Sequence, residues 1–306
     1  MILSIIVPCF NEEDSLKQLH DEINKVLNKI NYEIIFINDG STDNSSNILK
    51  DIYNSNKERV KVINFSRNFG KEASIYAGLK YAIGEYTAII DADMQQDPKY
   101  ILNAFNFLEK NKEYDVVALI PDKKKFFSNL FYKTINSLSD IKLKNNASDF
   151  RIFRSSVRKA ILMLQETNRF SKGIFSWIGF NTYYMDYILN ERKKGKSKFT
   201  FRKKVSYAVD GITAYSVKPL KVAGKIGLFI TTISFAYFIY IIIKTLVYGA
   251  KTPGFATLAC LILFSMGIEL TFLGITGEYL SKTFIETKKR PLYIEKSRLG
   301  IDEEIL

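Results

Sequence analysis

Over its first 120 residues the chain alternates short apolar runs with longer stretches in which apolar positions recur every three or four residues. Residues 2–7, 32–37, 60–65, 86–90 and 115–119 are apolar runs of strand length. Residues 12–29, 42–53, 72–82 and 99–109 carry the helical period between them. Runs that are apolar at most positions, rather than at every second one, fit strands covered on both faces. Their alternation with helices predicts βαβ units, hence an α/β fold with a mainly parallel sheet. Ligands of such sheets bind beyond the carboxyl ends of the strands.

The pattern changes near residue 126 and becomes more helical and more basic. Residues 192–204 contain eight Lys or Arg. Residues 205–225 mix apolar and polar positions, as a helix lying in a membrane interface does. Residues 226–243 hold no charge, and residues 254–277 hold only Glu269. As helices, both stretches are long enough to cross about 30 Å of hydrocarbon. Their flanks are rich in Lys and Arg, which places both termini on the cytoplasmic side. The expected organisation is therefore a cytoplasmic domain over 1–204, an interfacial amphipathic segment over 205–225, a two-helix transmembrane anchor over 226–280 and a cytoplasmic tail over 281–306. Within the second span a charged Glu269 is costly, so it is expected either to be protonated or to face Thr231, Thr232 or Ser234 of the first span or a neighbouring subunit. Gly267, Gly274 and Gly277 are consistent with a homo-oligomer.

Charge and rare residues narrow the chemistry. The 306 residues carry 44 Lys and Arg against 32 Asp and Glu, a net charge of +12. That balance points to anionic partners, among them phosphorylated metabolites and acidic lipids. The two cysteines, Cys9 and Cys260, lie in the first strand and in an apolar span. No disulfide and no zinc spacing follows from them. The single histidine, His20, reads as a surface residue of the first helix, so zinc and Cys–His hydrolytic mechanisms find no support. Neither GxGxxG nor GxxxxGK[ST] occurs, which argues against a dehydrogenase and a P-loop NTPase.

Acidic residues gather where the predicted strands end. Asp91-Ala92-Asp93 follows the run 86–90. Alternate residues of an extended chain share a face. Two carboxylates so placed can meet one divalent cation, or one can meet the ion and the other a ribose. Mg²⁺ and Mn²⁺ take oxygen ligands and bridge phosphates. Gln95 and Asp97 continue that polar edge. Pro8-Cys9-Phe10-Asn11-Glu12-Glu13 ends the first strand and Asn38-Asp39-Gly40-Ser41-Thr42-Asp43 the second. The second segment reads both as a turn with a helix cap and as a loop whose Asp39 accepts a hydrogen bond from a base or ribose. Ser66-Arg67-Asn68-Phe69-Gly70-Lys71 puts a glycine and a cation at a helix start, which suits a phosphate. Acidic loops of this kind would repel nucleic acid.

VPCFNEE, NDGSTD, SRNFGKEASIYAGL, DADMQQDP, SDFRIF, RFSKGIFSWIGF and GEYL occur in one order along nearly the whole chain. In this the sequence resembles the membrane-anchored family 2 glycosyltransferases that load a sugar onto a polyprenyl phosphate, such as bactoprenol glucosyltransferases and dolichyl-phosphate mannose synthases. The resemblance implies a Rossmann-like GT-A catalytic domain, a nucleotide-sugar donor, a Mg²⁺ or Mn²⁺ cofactor and inversion at the anomeric carbon. It implies that Pro8, Asn11 and Glu13 line the nucleotide pocket, that Asp39 holds the base and that Lys71 lies near base or diphosphate. Asp91 and Asp93, assisted by Gln95, would serve the metal and diphosphate. Asp149 would face the reaction centre, as base, as orienter of the sugar or as a plain partner of Arg151. Arg169, Lys172 and Trp177 would shape the cleft for donor and acceptor, although Trp177 reads equally as core. Two departures stand out. Asn38 occupies a position where the family often has Asp. Lys123, Lys124, Lys125 and Lys133 stand where the family tends to carry arginines, which keeps the charge toward an acceptor phosphate but loses the bidentate fork.

The implied reaction is hexose transfer, with UDP-glucose as the leading donor, to undecaprenyl phosphate at the cytoplasmic face of a bacterial inner membrane, for cell-envelope glycan modification. GDP-mannose as donor, another lipid such as diacylglycerol as acceptor, and a membrane-tethered nucleotide-sugar binder without catalysis remain open alternatives.

Overall fold

The computed structural model describes residues 2–122, 148–190, 216–248 and 254–301, with residues 136, 144 and 213. Lys123, Lys124, Lys125, Lys133, the basic stretch 192–204, residues 205–212 and the turn 249–253 lie outside the described residues. The alternating N-terminal half folds as β1 (Leu3–Cys9), α1 (Leu16–Val26), β2 (Tyr32–Asn38), α2 (Ser45–Ser55), β3 (Val60–Phe65), α3 (Lys71–Tyr81), β4 (Tyr86–Ile89), α4 (Lys99–Lys110) and β5 (Val116–Pro121). These match the predicted elements apart from their ends. The chain continues with β6 (Arg151–Arg154), α5 (Ser155–Met163), α6 (Ser171–Trp177), β7 (Thr182–Tyr187), α7 (Lys218–Tyr248), α8 (Phe255–Thr287) and β8 (Glu295–Leu299).

Among the described residues the strands form one sheet in the order β7-β5-β6-β4-β1-β2-β3-β8. The pairs β1–β2, β1–β4, β2–β3 and β5–β7 are parallel. Strand β6 runs antiparallel between β4 and β5, and β8 runs antiparallel on β3. The sheet is thus mixed and mostly parallel, of Rossmann-like α/β type. Strands β1 and β2 are buried along their full length, as continuous apolar runs demand. Helices α1, α2 and α4 cover one face through Leu16, Leu19, Ile23, Leu49 and Leu108. Helices α3, α5 and α6 cover the other through Ala77, Leu79, Val157 and Ile174.

His20 is buried, at 7% exposure, and not on the surface as its sequence context suggests. Residues 16, 19, 20 and 23 of α1 share the face turned to the sheet, the spacing of an apolar helical stripe. The imidazole meets the Asn24 amide at 3.0 Å, and Tyr32 hydroxyl donates to that same Asn24.

Strands β2 and β4 flank β1 on opposite sides. The connections leaving β1 and β4 therefore diverge and open a crevice at their carboxyl ends.

Helix α7 is 31 residues long and α8 is 33. Among the described residues one helical stretch, Lys218–Lys244, is long and apolar enough to cross a membrane. The segment 218–225, expected to lie in the interface, is continuous with that helix. Thr231 and Thr232 hydroxyls donate to the carbonyls of Gly227 and Leu228 at 2.9 Å. They serve their own helix, while Glu269 is exposed on α8. Toward the C-terminal end of α8, Tyr279 hydroxyl donates to Ser216 O at 2.7 Å and Lys282 donates to Thr213 hydroxyl.

The described part of 281–306, expected as a tail, is the end of α8 followed by a strand of the sheet. Strand β8 pairs Leu299 with Val62, Arg298 with Ile63 and Ser297 with Asn64. Tyr81 hydroxyl donates to Glu295 at 2.7 Å, and Tyr293 stacks on Phe65 with ring centroids 4.7 Å apart.

Candidate active site

The crevice is built by the connections after β1, β2, β3 and β4. The first two are laced together. Asn11 N–H donates to Ser41 hydroxyl at 3.0 Å, and Thr42 N–H donates to Asn11 Oδ1 at 2.8 Å. Glu12 N–H donates to Ser45 hydroxyl at 3.0 Å, and Asn44 N–H donates to Glu13 Oε2 at 2.9 Å. Asn11 adopts φ 56°, a left-handed conformation that asparagine tolerates better than most residues. Pro8 is buried within β1.

Asp39 is 3% exposed and joins the second loop to the third. Its two carboxylate oxygens accept Phe69 N–H at 2.6 Å and Gly70 N–H at 2.9 Å. Burial pushes its pKa up, while those two N–H groups and Arg67 pull the other way. Gly40 follows at φ 64°, and a Cβ there would stand 2.4 Å from the Arg67 carbonyl carbon. The turn reading of this segment is therefore realised. Any hydrogen bond that Asp39 accepts from a base uses lone pairs left over from the backbone contacts.

The centre of the crevice is an ionic cluster. Lys71, first residue of α3, places its ammonium 2.5 Å from Asp91 Oδ1 and 3.1 Å from Asp149 Oδ2. Protein surrounds Lys71 on most sides, yet 41% of its side-chain surface stays open, so the cluster faces the crevice. Burial would lower the lysine pKa, but Asp91 and Asp149 override it and hold the side chain charged. Burial would raise the Asp149 carboxyl; Lys71, Lys172 and Arg151 together hold it down at about 2. Asp149 Oδ1 is buried without a hydrogen-bond partner among the described residues. Among the described residues the direct ion pair of Asp149 is with Lys71, and Arg151 acts on it through its charge. Arg151 donates through Nε to Ser148 O at 3.1 Å and lies over the Phe175 ring.

Asp91 is fixed from behind by Gln96. Asp91 N–H donates to Gln96 Oε1 at 2.9 Å, and Gln96 Nε2 donates to Asp91 Oδ2 at 3.1 Å. Among the described residues Gln95 bonds through its backbone: its N–H donates to Asp93 Oδ1 at 3.2 Å and its carbonyl accepts Asn190 N–H at 3.0 Å. Met94, between them, has φ 61°, the kind of strained backbone that collects at functional sites. Asp91 and Asp93 form a hard oxygen donor set, and no cluster of three or more His, Cys, Asp or Glu accompanies them among the described residues. Two carboxylates fit a Mg²⁺ or Mn²⁺ that takes its other ligands from water and substrate phosphate.

Two further carboxylates brace the segment that carries Arg169 and Lys172. Glu72 accepts Ser171 N–H at 3.0 and 3.1 Å and also the Ser171 hydroxyl. Burial and then Asp149 raise its pKa to about 7. Glu286, in the last turn of α8, accepts Thr167 N–H at 2.9 and 3.0 Å and Asn168 N–H at 3.0 Å. Arg169 is 9% exposed, donates to Leu164 O at 2.8 Å and covers the Tyr76 ring. Trp177 ends α6 at 60% exposure, so it is not core.

The structure thus gathers Lys71, Asp91, Asp149 and Lys172 into one electrostatic unit, beside Asp93. It places Asn11, Glu13 and Asp39 in the neighbouring laced loops. Gln96, Glu72 and Glu286 were not singled out from the sequence.

Residues 4–221 match the family "Glycosyl transferase family 2", and residues 218–283 match "GtrB C-terminal hairpin". The putative glycosyltransferase CsbB of Bacillus subtilis is 40% identical over 304 residues, covering 96% of this chain and 91% of that one. The bactoprenol glucosyl transferase of Shigella phage SfX is 37% identical over 306 residues, covering 97% of this chain and all of that one, 100%. Among solved structures, glucosyl-3-phosphoglycerate synthase from Mycobacterium tuberculosis, crystallised with Mn²⁺, UDP-glucose and phosphoglyceric acid, superposes with a TM-score of 0.50 at 14% identity. The match covers 69% of this chain and 77% of that one, and it shows the fold alone.

Proposed function

Because the chain belongs to glycosyl transferase family 2, we propose that it transfers a hexose, glucose from UDP-glucose, to undecaprenyl phosphate at the cytoplasmic face of a bacterial inner membrane, with inversion. One observation carries this reading. The similarity to a bactoprenol glucosyl transferase runs through both the catalytic sheet and the hairpin. It thus includes the part that would meet a lipid acceptor as well as the part that would meet a soluble donor. In this reading α7 and α8 form a two-helix anchor, the residues before 205 form the cytoplasmic catalytic domain, and both termini are cytoplasmic.

The GT-A-type crevice supplies the chemistry. Asp91 and Asp93 would hold a Mg²⁺ or Mn²⁺, which when bound offsets the charge of the leaving diphosphate. Lys71 adds a fixed positive charge, and Gln96 keeps Asp91 in place. An acceptor phosphate is already anionic near neutral pH and needs little help from a base. Asp149, held ionised by Lys71, Lys172 and Arg151, fits the role of orienting Lys71 and the donor sugar better than that of a proton acceptor. Rate acceleration then comes from positioning and preset charge. Asn11, Glu13 and Asp39 would shape the nucleotide side of the crevice and Arg169, Lys172 and Trp177 the acceptor side; Lys123, Lys124, Lys125 and Lys133 are further cations available to an acceptor phosphate.

UDP release from the full chain tests this. Release that needs undecaprenyl phosphate, a divalent cation and UDP-glucose, among a panel of UDP-sugars and GDP-mannose, is the expected outcome. Release independent of the lipid would remove the acceptor from the assignment.

A further inference from the structure

A pocket of about 490 Å³ lies where the end of α8 meets the catalytic domain. Its walls come from the β3–α3 connection, from Thr167–Arg169 and from the turn after α8. Lys71, Asp91, Asp93 and Asp149 do not line it. Four cations do, namely Arg67, Arg169, Lys288 and Arg290, against a single carboxylate, Glu72. That carboxylate is already occupied by the Ser171 N–H and hydroxyl. Three of the cations rest on aromatic faces: Arg67 over Phe69 at 4.2 Å, Arg169 over Tyr76 at 4.6 Å and Lys288 over Phe284 at 4.1 Å. A ring face holds a cation in place without cancelling its charge. The remaining wall is apolar, with Ile285, Pro291 and Leu292.

We propose that this pocket is a second anion site, separate from the donor crevice, that takes a phosphate group, the headgroup of an acidic membrane lipid or a free phosphate. The volume falls within the range of small-molecule sites. Arginine suits phosphate through its planar fork, and lysine adds a point charge. The pocket exists only while α8 is docked, because Glu286 of α8 binds the backbone of Thr167 and Asn168 in its wall. The inference is independent of which sugar or acceptor the crevice uses.

The test is thermal unfolding of the full chain in a nonionic detergent, titrated with lysophosphatidylglycerol, with lysophosphatidylcholine as control, and separately with inorganic phosphate. Wild type should show a saturable rise in unfolding midpoint. The double variant Lys288→Ala/Arg290→Ala should need about tenfold more probe for half-saturation, with UDP-sugar turnover retained. Arg67→Gln is the second variant, should the double variant fold poorly, and should weaken the response in the same direction. A response to lysophosphatidylglycerol well above that to inorganic phosphate assigns the lipid headgroup; equal responses assign the free anion. No response in wild type, or identical curves for wild type and both variants, overturns the proposal.

Discussion

Asp149 shows how a single environment decides between two chemical roles. A general base works best with a pKa near the working pH, whereas Asp149 is held at about 2. Asp149→Asn should therefore lower kcat by about 10²–10³, as loss of a preset charge does, and leave the shape of the pH–rate profile unchanged. An acidic limb present in the wild type and lost in the variant would instead restore the base assignment. Asp93→Ala should abolish turnover while thermal unfolding stays near wild type; turnover that persists and still needs the metal would remove Asp93 from the metal site. Glu72 gives a pH dependence of opposite sign to a salt-bridged acid. Its pKa rises from the ordinary 4.5 to about 7 on folding, through burial first and Asp149 second. The folded chain then keeps a proton that the unfolded chain has lost. The associated stability is complete below pH 4.5 and drains away as pH rises through about 7. Glu72→Gln should flatten the denaturation midpoint across that window. At this scale the sequence showed the acidic strand ends but not the glutamine that braces Asp91. Strict alternation from Asp91 and Asp93 points to Gln95. The left-handed turn at Met94 breaks the alternation and aims Gln96 back at Asp91, and no residue type in DADMQQDP announces that turn.

Among the elements, the five strands with continuous apolar runs and the four helices between them were readable because burial on both faces leaves an unmistakable pattern. Strands β6, β7 and β8 were not. Strand β6 has four residues, β7 has a single buried residue and β8 reads Glu-Lys-Ser-Arg-Leu; their pairing is dictated by the neighbouring strand rather than by their own composition. The Glu286 clasp was equally hidden, since the residue lies more than a hundred positions from the loop it holds. It ties the end of α8 to the segment carrying Lys172, which acts on Asp149. Glu286→Ala should cut kcat about tenfold with little change in donor KM, because two charge-assisted backbone bonds are lost. Glu286→Gln, which keeps an acceptor oxygen, should recover part of the loss. Amide exchange over residues 164–173 should speed up in the alanine variant; unchanged exchange together with unchanged kcat would show that the clasp does not position the loop.

For the whole molecule, motif order and the two long apolar stretches gave the arrangement of a catalytic domain followed by a hairpin. What could not be read was that the chain passes through the hairpin and comes back. Strand β8 completes the sheet on β3 after α8. The ribosome therefore finishes the first domain last. Until residues 295–299 have been made, β3 is an open sheet edge of the kind that recruits other strands. By then both hairpin helices already exist. A product ending at residue 290 should therefore accumulate poorly and aggregate even though every residue of the crevice is present, and sedimentation of such a product beside the full chain measures this directly. The sheet edge thus acts as a completion mark in biogenesis: a catalytic domain that has not been followed by its hairpin is also a domain that has not finished folding.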